Sequence, residues 1–435
     1  MTDDFDPHLS CEEKKKSKDV PGYISKSIIF DSDRYSDIIT PYKIIDIQSL
    51  SRRTLSIFSN LKYNIIFESP KYIWQPQTYS AINDINEGYV NDTNRFLGIL
   101  GLKPLLSDNI RNSMSIGSVA FHRNPFKERI SSSSGKAYPQ LNINSFATFL
   151  NNLYAYSKGM VLVPDINITR IPKMGLTIEP SEYLKIIEYF TTILSERNNK
   201  PIFVPIQTNL TKKATEEILV FYKSKRYKNI WINFSGGEVG GRHLSGFRSI
   251  LNILDKQYPK NDYVLFCSHM QKEISPDIRE YKAPSSDMLS QFIGVDFIGS
   301  TREPVKGFSA DFDLDEYIKK LGFSDKKNYE EARKLHRSRI FDPLSYYYFS
   351  PKHYPNLPGK LNRNDLINDE NINKSVDNFI KFREIENVKG MVNDGKNLKN
   401  YLKNKTMFNE SKEIFNEIID YFPKKTKRTK SLFDF

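Results

Sequence analysis

The segment IFVPIQTNLTKKATEEILVFYKSKRYKNIWINFSGG, residues 202–237, decides the fold class. It begins with an apolar run over residues 202–207 and continues through an amphipathic stretch over residues 211–225. A second apolar run follows at residues 230–234. Short apolar runs separated by a helical pattern are typical of β-α-β units whose strands are buried on both faces. The segment therefore predicts a parallel sheet covered by helices.

The same alternation extends on both sides of this segment. Further strands are predicted at 63–67, 160–165, 263–267 and 295–298, and further helices at 142–156, 180–197, 244–257 and 285–292. Repeated units of this kind favour a closed (β/α)8 barrel over an open sheet, and no Gly-rich phosphate-binding fingerprint is present. We predict an α/β, TIM-like barrel over residues 60–325, an N-terminal extension over 1–59, and a basic, partly helical region over 326–435.

Composition narrows the function classes. The net charge of +12 favours a polyanionic partner, although a merely basic protein is an alternative. The two cysteines, Cys11 and Cys267, cannot form a disulfide framework or a Cys-rich zinc site, which fits a reducing compartment. No apolar run reaches the roughly 18 residues of a membrane span, and no signal peptide pattern opens the chain. We expect a cytoplasmic protein, nucleoid-associated or virus-encoded.

Polar residues and glycines follow several of the predicted strands. Asp165, Gln207 and the pair Gly236-Gly237 stand at or after strand ends, and Asp296 stands inside the apolar run 292–298. The carboxyl ends of barrel strands converge on one mouth, and an unpaired carboxylate in an apolar strand is costly. These residues are therefore candidates for one site, although each could instead cap a helix, form a turn or be a satisfied loop residue.

A known family resembles this pattern. The segment GVDFIGSTR, residues 294–302, resembles the nucleophile strand of the tRNA-guanine transglycosylases, most of all the members that insert 7-deazaguanine bases into DNA. In that family an Asp lies six residues before the Arg of a Pro-Thr-Arg end, and Ser300 replaces the proline here. The segment SGGEVGG, residues 235–241, is similar to the family's Gly-Gly loop, and residues 132–136 with Leu141 are similar to the segment before its base-reading strand. The resemblance covers roughly residues 100–305.

The resemblance implies a base exchange through a covalent Asp-nucleotide intermediate. Asp296 would be the nucleophile at the anomeric carbon, where a carboxylate stabilises positive charge and then forms a bond. A second carboxylate would protonate the leaving base and deprotonate the incoming one. Asp108 is the candidate for this role, although only the apolar lead-in and the Asp of the family's Asp-Ser-Gly-Gly-Phe-Gln motif are present.

The resemblance also implies a base pocket. Asp165 would accept hydrogen bonds from ring N–H and amino groups of a guanine-like base. Gln207 and the backbone N–H groups of Gly236 and Gly237 would bind its carbonyl, since glycine allows close approach of the backbone. Phe266, at a strand end, would stack on the base, with a place in the core as the alternative.

The chain departs from the family at the zinc site. That site needs three cysteines and a histidine after the catalytic strand, and no cysteine follows Cys267. We therefore expect no metal and no other cofactor; His243 and His269 are isolated along the sequence. The family often forms dimers, so a homodimer is a further expectation, although the zinc region that contributes to dimerisation is missing.

The expected partners are DNA, with tRNA as the alternative, and a 7-deazaguanine base as the small substrate. A flipped nucleotide would reach the barrel mouth while basic side chains hold the phosphates. The candidates are Arg302, Arg333, Arg337, Lys424, Lys425, Lys427 and Arg428, each of which could instead be a solvated cation. Residues 429–435 resemble the end of a sliding-clamp-binding peptide. Two other functions stay open: a homologue that binds nucleic acid without catalysis, and an unrelated barrel enzyme.

Overall fold

The structure, a computed structural model, describes a set of segments that covers most of the chain. These are residues 9–30, 36–51, 54, 58, 65–85, 90–102, 113–127, 129–130, 137–168, 178–197, 199–258, 262–274, 277–302, 313–355, 357 and 362–419.

Parallel strands form a closed ring, which confirms the predicted (β/α)8 barrel. Two of the strands are interrupted, and each of them joins a six-stranded sheet to a four-stranded sheet, so the ring closes with eight strands. The strands are β1 (Tyr42–Lys43 and Ile45–Asp46), β2 (Ile66–Ile73), β3 (Met114–Phe121), β4 (Val161–Leu162 and Asp165–Ile166), β5 (Ile202–Gln207), β6 (Asn229–Asn233), β7 (Val264–Ser268) and β8 (Phe297–Ile298).

The first barrel strand lies earlier in the chain than the sequence predicts. β1 pairs in parallel with β8 on one side and with β2 on the other. It falls within the range 1–59 predicted as an N-terminal extension, so the predicted domain boundary at residue 60 is wrong. The strand was missed because Lys43 and Asp46 interrupt its apolar pattern. The strand predicted at 63–67 is β2, which begins at Ile66.

Helices connect the strands around the outside of the ring. Within the described segments before β8 these are α1 (Pro76–Asn83), α2 (Val90–Ile99), α3 (Ile143–Tyr156), α4 (Pro180–Ser195), α5 (Lys212–Ser224), α6 (Gly241–Gln257) and two 3-10 turns (Ile47–Ser49 and Asp287–Phe292). Helix α3 shows why they form: Asn142 caps its first turn by accepting from the backbone N–H groups of Asn144 and Ser145. Its buried face carries Phe146, Phe149, Leu150 and Leu153, each worth about 1.5–3 kcal/mol of transfer free energy.

A hairpin closes the amino end of the barrel. The strands Ser10–Lys16 and Ile24–Ile29 pair antiparallel, and Ile38–Ile39 adds a third strand. Buried side chains of this hairpin region, such as Leu9, Ile28 and Phe30, belong to the same apolar cluster as side chains inside the barrel, among them Phe203 and Trp231. The only mouth left for a substrate among the described segments is therefore at the carboxyl ends of the strands.

The segment after the barrel packs directly against it. The strands Ile340–Asp342 and Tyr347–Phe349 form an antiparallel sheet with Lys282–Pro284. The helices beyond β8 are α7 (Leu314–Lys320), α8 (Lys326–Arg337), α9 (Arg363–Asn368), α10 (Glu370–Asn393), α11 (Leu398–Lys403), α12 (Thr406–Glu410) and α13 (Lys412–Ile419). Helix α10 covers β1, with Phe382 packed edge-on against Tyr42 at 5.6 Å. No helix among the described residues is long and apolar enough to cross a membrane.

Candidate active site at the carboxyl end of the barrel

A layer of polar side chains replaces the apolar filling where the strands end. Phe203, Trp231 and Phe266 are buried apolar residues in β5, β6 and β7. Nearer the carboxyl end of the same three strands, the buried residues are the polar Gln207, Asn233 and Ser268. We call this layer the polar floor. Its members are all buried: Glu68, Ser118, Asp165, Gln207, Asn233, Ser268 and His269.

Asp165 is the centre of one half of the polar floor. Its Oδ2 accepts from Gln207 Nε2 at 3.0 Å and from Asn233 Nδ2 at 2.7 Å. Its Oδ1 accepts from the Tyr183 hydroxyl at 2.9 Å and from the Ile166 backbone N–H at 2.8 Å. Burial raises the pKa of Asp165 to about 6, and these four donors oppose that rise. The structure therefore brings Asp165 and Gln207 together, as the sequence predicts.

The amide of Gln207 has a fixed orientation. Its Nε2 donates both to Asp165 and to the Ile166 carbonyl oxygen, at 2.6 Å for the latter, and both of these neighbours are acceptors. Its Oε1 is buried and has no hydrogen-bond partner among the described residues. Gln207 therefore offers an acceptor to a ligand, whereas the sequence analysis gave it the role of a donor to a carbonyl.

The Gly236-Gly237 pair forms a tight turn. The Gly236 N–H donates to the His269 carbonyl oxygen and the Gly237 N–H donates to the Phe234 carbonyl oxygen, both at 2.7 Å. Gly236 has a φ of +81°, which favours glycine, and a Cβ on Gly237 would lie 2.3 Å from the His243 ring. Both N–H groups are occupied, so their predicted role in binding the base carbonyl is wrong.

Phe266 is part of the barrel core and does not line the mouth. Its side chain is fully buried, and its ring packs against those of Phe203 and Phe297 at centroid distances of 6.2 and 6.3 Å. The predicted stacking on a base is therefore wrong. The residue points inward two positions before β7 ends, which places it beneath the polar floor.

Asp296 lies at the opposite end of the barrel from Asp165. Its carboxylate accepts from Lys26 Nζ at 3.0 Å, from Thr40 Oγ1 at 3.2 Å and from the Leu265 N–H near the start of β7 at 2.8 Å. The predicted role as nucleophile at the mouth is wrong for this geometry. The predicted strand 295–298 includes Asp296, whereas only Phe297–Ile298 are in β8, so Asp296 precedes the strand.

Glu68 is a carboxylate of the floor that the sequence analysis missed. Ser118 Oγ donates to its Oε1, and the backbone N–H of Ser300, just beyond β8, donates to its Oε2. Burial raises its pKa above the ordinary glutamate range. The strand has the sequence IFESPKYI, residues 66–73, and a charged residue within it was the signal that could have identified Glu68. The predicted strand, 63–67, ended one residue before Glu68.

The Ser118 hydroxyl links His269 to Glu68, because it lies within hydrogen-bond distance of both side chains. Its Nε2 lies 3.2 Å from Ser118 Oγ, and its Nδ1 is buried without a partner among the described residues. Burial, with the positive charge of Arg302 as a smaller cause, lowers the pKa of His269 to about 3. The backbone of His269 has a φ of +56°, a left-handed conformation that is uncommon outside glycine and typical of functional turns.

Arg302 lies at the rim of the mouth, after β8. Its guanidinium carbon is 3.4 Å from the centroid of the Tyr72 ring, and the Tyr72 hydroxyl lies 2.6 Å from His122 Nδ1. This stack orients a half-buried cation at the mouth. The other described candidates for nucleic-acid contact, Arg333 and Arg337, are exposed on α8.

Several predicted features lie outside the described residues. They are Asp108, the basic residues Lys424, Lys425, Lys427 and Arg428, and the clamp-binding segment 429–435. Among the residues that are described, no group of three or more His, Cys, Asp or Glu side chains could hold a metal ion.

Comparison with known proteins identifies neither a family nor an activity for this chain. No protein family matches the chain, and no curated protein matches it. Solved structures show only weak similarity to the chain. An endo-β-1,4-mannanase from Cellulomonas fimi shares 8% identity at a TM-score of 0.31 over 60% of this chain, which spans only 63% of the mannanase.

Two further structures are similar to the same degree. The catalytic domain of a Bacillus endo-β-1,4-mannanase shares 11% identity at a TM-score of 0.31, over 55% of this chain and 67% of that domain. A 2,3-dimethylmalate lyase shares 10% identity at a TM-score of 0.32, over 81% of this chain and 91% of the lyase. None of these three is a guanine transglycosylase, and such low similarity carries no argument about activity. The family resemblance drawn from the sequence therefore stays a prediction.

Proposed function

We propose that the barrel exchanges a guanine-like base in nucleic acid, with DNA as the polymer and a 7-deazaguanine as the incoming base. The observation that carries the proposal is the cluster of Asp165, Gln207 and Asn233 at the mouth. A buried carboxylate that orients two amides is a costly arrangement, and such arrangements are concentrated at functional sites.

The cluster suits the hydrogen-bonding edge of guanine. That edge carries a ring N–H and an amino group, both of which are donors. The unpartnered Oε1 of Gln207 can accept from the ring N–H, and Asp165 holds the amide of Gln207 in that orientation. A 7-deazaguanine presents the same edge, whereas adenine presents a ring acceptor there. The donor and acceptor pattern therefore favours guanine over adenine.

Charge supports a nucleic-acid substrate. The chain has a net charge of +12, and Arg302 lies at the rim of the mouth through which a flipped nucleotide would enter. The resemblance to DNA-directed transglycosylases favours DNA, and tRNA is the alternative polymer.

The position of Asp296 supports a second candidate function. The carboxylate expected to act as nucleophile is paired with Lys26 at the closed end of the barrel. A homologue that binds a flipped guanine without exchanging it would have the same base cluster and no need for that nucleophile.

One experiment separates these functions. Purified protein is incubated with labelled guanine and either DNA or tRNA, and incorporation into each polymer is measured. Base binding by wild-type protein and Gln207→Leu is measured by calorimetry. Incorporation into DNA that exceeds incorporation into tRNA supports the proposal, and base binding without incorporation into either polymer supports the second candidate.

The matched control for this experiment is Gln291→Leu. Gln291 is also a fully buried glutamine whose Oε1 has no partner among the described residues, but it lies in the turn before β8. We expect Gln207→Leu to weaken base binding by about 10–100-fold, the cost of losing hydrogen bonds at a buried site, and Gln291→Leu to leave binding unchanged. Equal effects of the two variants would reject the base pocket.

A further inference from the structure

We propose that Glu68 is the carboxylate that faces the sugar of the target nucleotide and forms the covalent intermediate. The inference rests on the proposed base exchange and assigns to that reaction a residue on β2, far in sequence from the segment 294–302 that resembles the family's nucleophile strand.

The position of Glu68 in the barrel supports this role. Glu68 belongs to the polar floor, and its Oε2 accepts from the Ser300 N–H just beyond β8. The carboxylate of Glu68 therefore lies at the carboxyl end of β8, which is the place where the sequence analysis expected that of Asp296. The carboxylate of Asp296 itself is held at the amino end by Lys26 and Thr40.

The backbone at Gly299 leaves space for the carboxylate of Glu68. A Cβ added to Gly299 would lie 2.5 Å from Glu68 Oε2 and 2.6 Å from Ser268 Cβ. Any side chain at position 299 would thus displace the carboxylate. Glycine at the end of β8 allows a carboxylate from the neighbouring part of the ring to occupy this place.

The two buried carboxylates Asp165 and Glu68 differ in how many hydrogen bonds they accept. Asp165 is held by four donors, two of which are the amides of the base cluster. Among the described residues, Glu68 accepts from two groups, the Ser118 hydroxyl and the Ser300 N–H. Two carboxylates in different environments are the usual arrangement for chemistry at an anomeric carbon. The more strongly hydrogen-bonded one orients the amides of the base cluster, and the other is left to act on the sugar.

The chemical step balances without any additional reactant. An oxygen of ionised Glu68 forms a bond to C1′ of the sugar while the C1′–N9 bond breaks, and its electron pair goes to N9 of the departing guanine. That nitrogen takes a proton from water. The incoming base then loses its N9 proton to water and attacks C1′, which breaks the C1′–O bond and restores the carboxylate of Glu68.

The test looks for the covalent intermediate itself. Wild-type protein is incubated with an end-labelled guanine-containing DNA strand and denatured, and the linked peptide is identified by mass spectrometry. We expect the adduct on the peptide that contains Glu68. An adduct on any other carboxylate overturns the inference, and this measurement needs no variant to fold.

Variants give a second, independent readout. Glu68→Gln keeps the shape of the side chain and is expected to lose the adduct and to slow exchange by at least about 1,000-fold, while guanine binding changes by less than about twofold. The matched control is Glu384→Gln. Glu384 is also buried, with a raised pKa and two tyrosine hydroxyl donors, but it lies on α10. Exchange by Glu68→Gln within about tenfold of wild type overturns the inference.

The outcomes distinguish this inference from the proposed function. Wild-type protein that exchanges guanine with its adduct elsewhere rejects Glu68 alone. Wild-type protein that neither binds nor exchanges guanine rejects the base-exchange function, and Glu68 as its nucleophile with it. Wild-type protein that binds guanine but forms no adduct and exchanges none leaves the base pocket in place and rejects the covalent role of Glu68.

Discussion

Lys26 and Asp296 form a buried ion pair, with Nζ and Oδ2 3.0 Å apart and both side chains at most 3% exposed. The pair joins the N-terminal hairpin to the residue just before β8. Lys26 Nζ also donates to the Tyr263 carbonyl oxygen at 2.6 Å, so the ammonium group has two oxygen partners inside the protein. The pair therefore fixes the hairpin that closes the amino end of the barrel.

Removing one partner of this pair is expected to destabilise the fold without affecting the site. Asp296→Ala leaves a buried ammonium group unpaired and should lower the free energy of unfolding by about 3–5 kcal/mol. The double variant Lys26→Met/Asp296→Leu should recover much of that loss, because apolar side chains often replace a buried ion pair at little cost. Urea unfolding measures both values.

The same variants test the catalytic role first expected for Asp296. Below its unfolding transition, Asp296→Asn should bind and exchange guanine as the wild-type protein does. Loss of exchange at full stability and unchanged base binding would restore Asp296 as the nucleophile.

The pKa of Asp165, about 6, predicts a pH dependence of base binding. Only the ionised carboxylate accepts from the amides of both Gln207 and Asn233 and so keeps Gln207 Oε1 available to the base. Affinity should therefore be constant above about pH 7 and fall by about tenfold per pH unit below pH 6. Calorimetric titration with guanine between pH 5 and pH 8 checks this. Asp165→Asn should bind guanine weakly at every pH. If the affinity of this variant still fell below about pH 6, the titrating group would be one other than Asp165.

His269 makes folding stability depend on pH. Its pKa in the folded protein is about 3, against an ordinary value of 6.5. Between these values the unfolded chain binds a proton that the folded protein does not, so stability falls by about 1.4 kcal/mol per pH unit as the pH decreases from 6.5. The raised pKa values of Asp165 and Glu68 act in the opposite sense.

A difference measurement isolates the histidine. Asparagine tolerates the left-handed backbone at position 269, so His269→Asn is the suitable variant. The free energy of unfolding of wild type minus that of His269→Asn should decline between pH 6.5 and pH 4, since the two carboxylates cancel in the difference. A flat difference would show that His269 is protonated in the folded protein.

Arg302 and Arg337 carry the same charge in different settings. Arg302 is stacked on Tyr72 at the mouth, whereas Arg337 is exposed at the end of α8. Arg302→Gln should weaken binding of a DNA strand and reduce the slope of log affinity against log salt by about 1. Arg337→Gln should have a smaller effect. Fluorescence anisotropy over a series of salt concentrations compares the two, and identical effects would indicate binding by net charge alone.

The sequence was most informative where strands are apolar throughout. The strands β5, β6 and β7 were predicted to within one or two residues, because a strand buried on both faces reads as a continuous apolar run. Strand β1 was missed since it is interrupted and carries Lys43, whose ammonium group donates to the Gly299 carbonyl oxygen. A charge bonded to a neighbouring strand looks, in sequence, like a charge in solvent.

The site was predicted only in part, for a geometric reason. Gln207 ends β5 and Asp165 lies in the last part of β4, so their place at the mouth could be read from the order of residues. Asp296 could not be placed, because an apolar run does not show where a turn becomes a strand, and that boundary decides at which end of the barrel a side chain lies. Glu68 lies within its strand, and the apolar pattern gave no sign that the strand continued past it.

The pairing of β1 with β8 sets the order in which the protein can fold during synthesis. Lys43 reaches the carbonyl oxygen of Ile298, 255 residues later, and Lys389 on α10 reaches back to that of Ile39, 350 residues earlier. At about 5–20 residues per second, the segment that forms β1 waits for on the order of tens of seconds on the ribosome before its partners exist. Charged side chains such as Lys43 and Asp46 discourage a lone strand from pairing with a second chain in that interval. The polar residues that hid β1 in the sequence are thus expected to protect the nascent polypeptide from aggregation.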